Sequence, residues 1–329
     1  MSDIFRKLTL ACFLTLWCSC STSNGLKKFD EGDIKKVLPV ELANKFEVKD
    51  VDVSSPAVKP EVQVATPKIK IAKRKLPRVN PSKNSVVEPV GPPKRRVEPL
   101  PFDTGEKLEY DIRYLGVTAG VFKLEVLPYK QLVDRKVYHF MASAKTVKIF
   151  ELVYRVNDVI ESFWDYEGLF SHKYTMDLDE TKQNRKVIEL YDYEKKKSFY
   201  WDRVNHIEKG ISEKKESFDI QLWSQDPISM LFFFRTLNLP THTEVESKFP
   251  VILDGKPLDC GFRYLKTEKV YAAGAYREAN VFKLVTYQNG EPKNKENTVW
   301  LSTDEHHYIL RIEAKVKVGS FAVALEKVI

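Results

Sequence analysis

From residue 101 onward, apolar and polar residues mostly alternate along the chain. Leu108, Tyr110, Ile112 and Tyr114 fall on one face of an extended segment, and Lys107, Glu109, Asp111 and Arg113 on the other. Side chains of a strand alternate between faces, so this is the pattern of a half-buried β-strand. Gly116–Gly120 turns the chain, and Val121–Leu127 returns as the partner strand. Val137–Ala144, Val153–Trp164, Leu169–Met176, Arg185–Tyr193 and Lys197–Trp201 continue the series. Val245–Leu253 passes through Asp254-Gly255 into Leu258–Leu265, then Val270–Ala273 and Asn280–Tyr287 follow. Asn289-Gly290 turns toward Thr298–Ser302, and Tyr308–Val318 alternates again before a bend at Gly319. Asp-Gly and Asn-Gly are strong hairpin turns. Consecutive strands with short turns predict an antiparallel meander, and so many strands must twist and curl. The fold class expected is mainly β: a strongly curved sheet or partly closed barrel.

One stretch breaks the alternation. In Asp226–Leu239, DPISMLFFFRTLNL, Met230, Leu231, Phe232, Phe233, Phe234, Leu237 and Leu239 crowd together without a polar face. Asp226 can cap a helix, Pro227 suits its first position, and Pro240 ends the run. A short helix, apolar all round and therefore buried in the concavity of the sheet, is the reading adopted. A buried strand, LFFFRTL, is the alternative. Asp226 and Arg235 bracket the run as a buried pair or ligand anchor. The simpler arrangement has Asp226 capping the helix and Arg235 reaching solvent.

Composition divides the chain. Eleven of its 17 prolines lie at or before Pro101, and Phe29 and Phe46 are the sole aromatics between Ser21 and Leu100. Such a segment buries too little apolar surface to offset its ordering entropy, so residues 20–100 read as a disordered Pro/Lys-rich linker and 101–329 as the β-rich domain. A fully stretched linker of polyproline character reaches roughly 250 Å. Thr66–Arg96 holds ten Lys/Arg against Glu88, which exceeds the chain's net charge of +7 and leaves the remainder near −2. The domain itself therefore has no electrostatic basis for binding nucleic acid. The basic run suits anionic headgroups or wall carboxylates, or serves as a solvated spacer.

Residues 1–19 have the order of a signal peptide: Arg6 and Lys7, an apolar run Leu8–Trp17, then Ser19-Cys20. A small residue before a cysteine, followed by a polar stretch, resembles a lipoprotein signal. Cys20 is then the acylated residue, although Trp17 stands where such signals usually carry Leu. An ordinary secretory signal is the alternative. Cys12 and Cys18 would leave with the signal, so Cys260 would be the one free thiol, read as a small buried apolar residue.

Motifs for chemistry are sparse. There is no G-x-S-x-G, H-E-x-x-H, phosphate loop or C-x-x-C. His306 and His307, in Asp304-Glu305-His306-His307, point to opposite sides if extended, so no metal site is expected there. Asp158 and Asp165 are candidates for a glycosidase pair, but their odd spacing puts them on opposite faces of one strand. No catalytic residue and no cofactor are assigned.

Four blocks, GEKLEYDIRYLGVTAGVFKLEV, YRVNDVIESFWDYEGLFSHKY, DPISMLFFFRTL and VWLSTDEHHYILRIEAKVKVGSFAVAL, resemble the bacterial domain-of-unknown-function family 3108 and span 103–327 in its order. The resemblance implies an exported, β-rich envelope protein and carries no catalytic residues with it. The function expected is that of a non-enzymatic lipoprotein of the outer membrane, lipid-anchored, with its domain in the periplasm or at the cell surface. It would bind an apolar chain, a surface glycan or an envelope protein, with Phe232–Phe234 lining the groove. The alternatives are a structural tether and an envelope glycan or lipid hydrolase.

Overall fold

The computed structural model describes residues 37–51, 94–242, 246–315 and 320–329. The signal segment, Cys20 and most of the Pro/Lys-rich run lie outside these residues. Fourteen strands follow one another in an antiparallel meander: β2 (Lys107–Tyr114), β3 (Val117–Leu132), β4 (Arg135–Thr146), β5 (Asn157–Asp165), β6 (Ser171–Asp179), β7 (Gln183–Asp192), β8 (Lys197–His206), β9 (Gly210–Asp219), then β10 (Glu246–Ile252), β11 (Pro257–Ala272), β12 (Ala275–Gln288), β13 (Glu291–Ser302), β14 (Ile309–Lys315) and β15 (Ser320–Val328). A two-residue strand, β1 (Lys49–Asp50), pairs with β3 and completes a 15-stranded sheet. β15 pairs with β2, so the two runs of strands join, and β9 and β10 are the two ends of the sheet.

The sheet is strongly curved but not closed. Its two ends nonetheless approach each other. The Asp254-Gly255 turn after β10 packs on the Tyr200 ring of β8, where a side chain on Gly255 would meet the ring at 2.9 Å. Arg185 of β7 reaches Asp254 at 3.7 Å. Both residues of that turn are left-handed, φ 51° and 65°, as are Asn289 and Gly290 at 54° and 81°. These are the hairpin turns that the Asp-Gly and Asn-Gly pairs predict.

Three differences from the expected elements have physical causes. β9, ISEKKESFD after Gly210, carries charge on both faces because it is an exposed end strand, so no alternation marks it. Leu258–Leu265 and Val270–Ala273 are one strand, β11, with a register shift between Tyr264 and Lys266 that interrupts the pattern. Val153 lies outside any strand: a short helix, α2 (Lys148–Glu151), occupies the β4–β5 connection.

The apolar stretch is a helix, α3 (Ser229–Thr236), one turn shorter at each end than expected. It is not a strand. Phe232 stacks on Phe140 of β4 at 3.8 Å, and Phe234 stacks on Phe262 of β11 at 4.1 Å. Phe233 meets Phe249 of β10 edge-on at 4.9 Å. Strands from both halves of the meander thus grip the helix, and the concavity is filled. Burial of each such phenylalanine stabilises by about 1.5–3 kcal/mol.

Residues 37–51, expected within the linker, belong to the packed structure. A helix, α1 (Val40–Lys45), leads to Phe46, buried against Phe163, Ile188, Leu190 and Trp201 on the convex face of the sheet. Lys45 pairs with Asp192 at 3.1 Å and Glu194 at 2.7 Å. One aromatic in a polar context gave no pattern from which this docking could be read.

Candidate binding site

Asp226 sits where β5, β6 and α3 meet and is fully buried. Its Oδ1 accepts the N–H groups of Ile228 and Ser229, each at 2.8 Å. Its own N–H donates to Ser229 Oγ at 2.9 Å, closing a reciprocal cap. The first helical bond, Met230 N–H to Asp226 O, is 2.9 Å. Oδ2 accepts from Ser162 Oγ of β5 at 2.5 Å and from Ser171 Oγ of β6. Burial raises its carboxyl above the ordinary value, against the serine and backbone donors that lower it. Asp226 therefore fastens the start of the helix to the sheet and does not touch Arg235.

Arg235, at the other end of α3, does not reach solvent; it is 2 % exposed. It forms a bidentate pair with Glu106 at 2.6 and 2.9 Å and donates to the carbonyls of Pro101 at 2.8 Å and His306 at 3.0 Å. His307 Nδ1–H donates back to Arg235 O at 2.7 Å. A guanidinium's fixed fork suits this clamp. Its partners are 71 to 134 residues away, which is why the helix sequence alone gave no sign of its burial.

Above this clamp, residues 94–102 cross the rim of the sheet. Arg95 and Arg96 N–H both donate to Glu167 O, at 2.9 and 3.0 Å. Arg95 Nε donates to Gly168 O at 2.7 Å and Nη2 to Leu169 O at 2.9 Å, with its guanidinium 5.3 Å from the centre of the Phe233 ring. Among the described residues no carboxylate lies within ion-pair distance of Arg95. Burial lowers its pKa, with the distant Asp165 and Tyr193 working the other way. Arg96 lies 3.8 Å from the Tyr166 ring centre and donates to Glu98 Oε1 at 2.6 Å.

A pocket of about 310 Å3 opens between this segment and α3, lined by Arg95, Val97, Leu100, Leu169, Phe233 and Leu237 and also by Arg235, Glu305 and His307. Of the three phenylalanines expected to line a groove, Phe233 alone does so; Phe232 and Phe234 are in the core. The arrangement offers an apolar wall beside a cation that has no carboxylate in ion-pair distance among the described residues. Arg95 was missed because it lies in the basic run. The usable signal was the apolar spacing of Val97, Leu100 and Phe102 directly after Arg95-Arg96.

The remaining candidates lie apart. Asp158 and Asp165 occupy the two ends of β5, roughly 23 Å apart for seven residues of strand. Asp158 is pushed up to about 8 by burial and by Glu180. Asp165 is buried, yet Arg135, His172 and the Gly168 N–H outweigh burial and hold it well below the usual carboxylate range. Cys260 is buried in β11, and burial pushes its thiol up to about 12. Among the described residues no group of three or more His, Cys, Asp or Glu could hold a metal ion, and no helix is long and apolar enough to cross a membrane.

A β-rich meander with a helix in its concavity defines the class. The chain belongs to the DUF3108 family, proteins of unknown function, whose model matches residues 109–326. Arg95 and residues 37–51 fall outside that match. Among solved structures, a β-barrel-like DUF1849 protein from Brucella abortus is 9% identical, with 68% of this chain and 97% of that chain covered at a TM-score of 0.40. A candidate lipoprotein from Parabacteroides distasonis is 10% identical, with 70% and 97% covered and a TM-score of 0.32. A candidate exported protein with a YmcC-like fold from Bacteroides fragilis is 9% identical, with 70% and 98% covered and a TM-score of 0.31. No curated protein matches.

Proposed function

We propose that this chain is a non-enzymatic lipoprotein of the cell envelope, anchored to the outer membrane through an acylated Cys20. Its domain binds an envelope component with an apolar body and an anionic head. The observation that carries the reading is Arg95, half-buried over Phe233 at the pocket and without a carboxylate partner among the described residues. A desolvated guanidinium favours an incoming anion, and a concave, mostly apolar wall favours the chain attached to it. The Arg6-Lys7, apolar run and Ser19-Cys20 order supports the export and the anchor. Asp158 and Asp165 stand at opposite ends of one strand and give no support to a two-carboxylate hydrolase.

The test is uptake of a fluorescent fatty acid compared with its uncharged methyl ester. The wild type should prefer the acid, and Arg95→Gln should abolish the preference while circular dichroism shows the β-rich fold retained. A wild type that takes up neither probe overturns the pocket. A structural tether then becomes the better reading, and the filled concavity around Phe232 and Phe234 favours it.

A further inference from the structure

The rim opposite the pocket has a different character. The β2–β3 tip exposes Leu115 and Val117, and the β4–β5 connection exposes Ile149, Leu152 and Val153, with Leu152 at 92%. The two loops are neighbours: Val147 N–H donates to Ala119 O at 3.1 Å, and Gly120 of β3 pairs with Thr146 of β4. Five large aliphatic side chains therefore project from one edge of the sheet. The loops are held from beneath, since Tyr154 and Val156 are buried with Ala144 against Ile112 and Phe122. Tyr154 also donates to Glu180 at 2.8 Å.

We propose that this rim docks on an anionic phospholipid bilayer, with the five aliphatic side chains entering the interface. Three observations select lipid. Lys145 and Lys148 are exposed beside the tips, and no acid among the described residues lies within ion-pair distance of either. Glu151 is the acid carried by the same loop; nearby, Arg113 is matched by Asp111 and Glu326, and Arg155 by Asp179. The surface thus offers aliphatic chains flanked by two lysines without an acid in ion-pair distance among the described residues, a pairing that suits an interface of anionic headgroups. Its shape is projecting, as insertion into headgroups requires. Its content is Leu, Ile and Val, whereas protein–protein hot spots are built on Trp, Tyr and Arg. β5 runs from this rim to the pocket rim, so a docked domain would hold the pocket roughly 30 Å from the lipid.

The full chain, carrying an environment-sensitive fluorescent amino acid at Leu152 or, as a control, at Tyr276 beyond the opposite rim, is mixed with vesicles of phosphatidylglycerol and phosphatidylethanolamine. Position 152 should shift to shorter wavelength and be quenched by brominated acyl chains, while position 276 stays unchanged. A chain held near the bilayer through its N-terminal region alone would leave both positions in water, and that result overturns the proposal. Lys145→Gln with Lys148→Gln should raise the lipid concentration for half-maximal shift by roughly tenfold or more. An equal shift on phosphatidylcholine would overturn the anionic assignment. Ile149→Asp with Val153→Asp should remove the shift and leave the melting temperature unaltered. A shift without vesicles that grows with protein concentration would assign the rim to a second copy of the chain and overturn lipid docking.

Discussion

Asp165 and Asp158 lie at the two ends of β5, both almost wholly buried. At the pocket rim, Asp165 accepts from Arg135 Nη2 at 2.9 Å, His172 Nε2 at 2.9 Å, and the N–H groups of Glu167 at 3.1 Å and Gly168 at 2.6 Å. At the other rim, Asp158 accepts the Asp179 N–H at 3.2 Å and has Glu180, another carboxyl, beside it. The one carboxyl stays charged and ties the starts of β4 and β6 to the β5–β6 turn. The other is kept neutral by its surroundings. Similar burial thus gives opposite protonation, because the neighbours decide whether desolvation is opposed. The rim of the charged carboxylate is laced with ion pairs and crossed by residues 94–102. The rim of the neutral one presents aliphatic loops.

The largest effect should come from Asp165→Ala. It leaves Arg135 and His172 without their anion, and breaking a buried pair costs about 3–5 kcal/mol. Chemical denaturation at pH 7 measures this, and a loss below 1 kcal/mol would mean the pairing contributes little. Its folded pKa is depressed, so this stability is present above the ordinary carboxylate value and lost as pH falls through the folded one.

Asp158→Asn should act in the opposite direction. The folded pKa is about 8 against an ordinary value of 3.8, so the neutral carboxyl stabilises fully below the lower value. That stability is lost as pH rises toward 8, with a slope of at most about 1.4 kcal/mol per pH unit. The Asn variant should lack this share of the slope and be the more stable protein at pH 8. Glu189, fully buried and also raised by burial, contributes the same sign in both proteins. Parallel stability–pH curves for wild type and variant would remove the contrast between the two ends.

The smallest effect belongs to the loops. Leu152→Ser replaces a side chain already in solvent, and stability should change by no more than about 0.5 kcal/mol. A clear loss on thermal melting would show Leu152 packed within the fold.

How far the sequence spoke depended on the range of each interaction. Alternation in β2 and the Asp-Gly and Asn-Gly turns are local, and they were legible. So were the cap at Asp226 and the apolar run behind it. β9 was silent because nothing covers either of its faces. Arg235 was misjudged because Glu106, its counter-ion, is 129 residues away. Arg95 was hidden because it bonds carbonyls more than seventy residues on, which leave no mark in composition.

The docking of residues 37–51 changes the mechanics of the chain. β1 is fastened to β3, Lys130 reaches Asp50 at 2.5 Å, and Lys173 donates to Phe46 O at 3.2 Å. Residues 94–96 are fastened to the Glu167 turn. The described residues on both sides of 52–93 are thus fastened to the sheet, so that run adds no length between an anchor and the domain. Were the chain anchored at Cys20 as proposed, residues 21 to 36 would separate the anchor from the packed segment, a stretch that spans at most roughly 60 Å, against the roughly 250 Å of an unpinned linker. A protease cut between 52 and 93 would leave residues 37–51 held to the sheet by Phe46, the β1 pairing and the polar contacts of Lys45, Asp50 and Lys173.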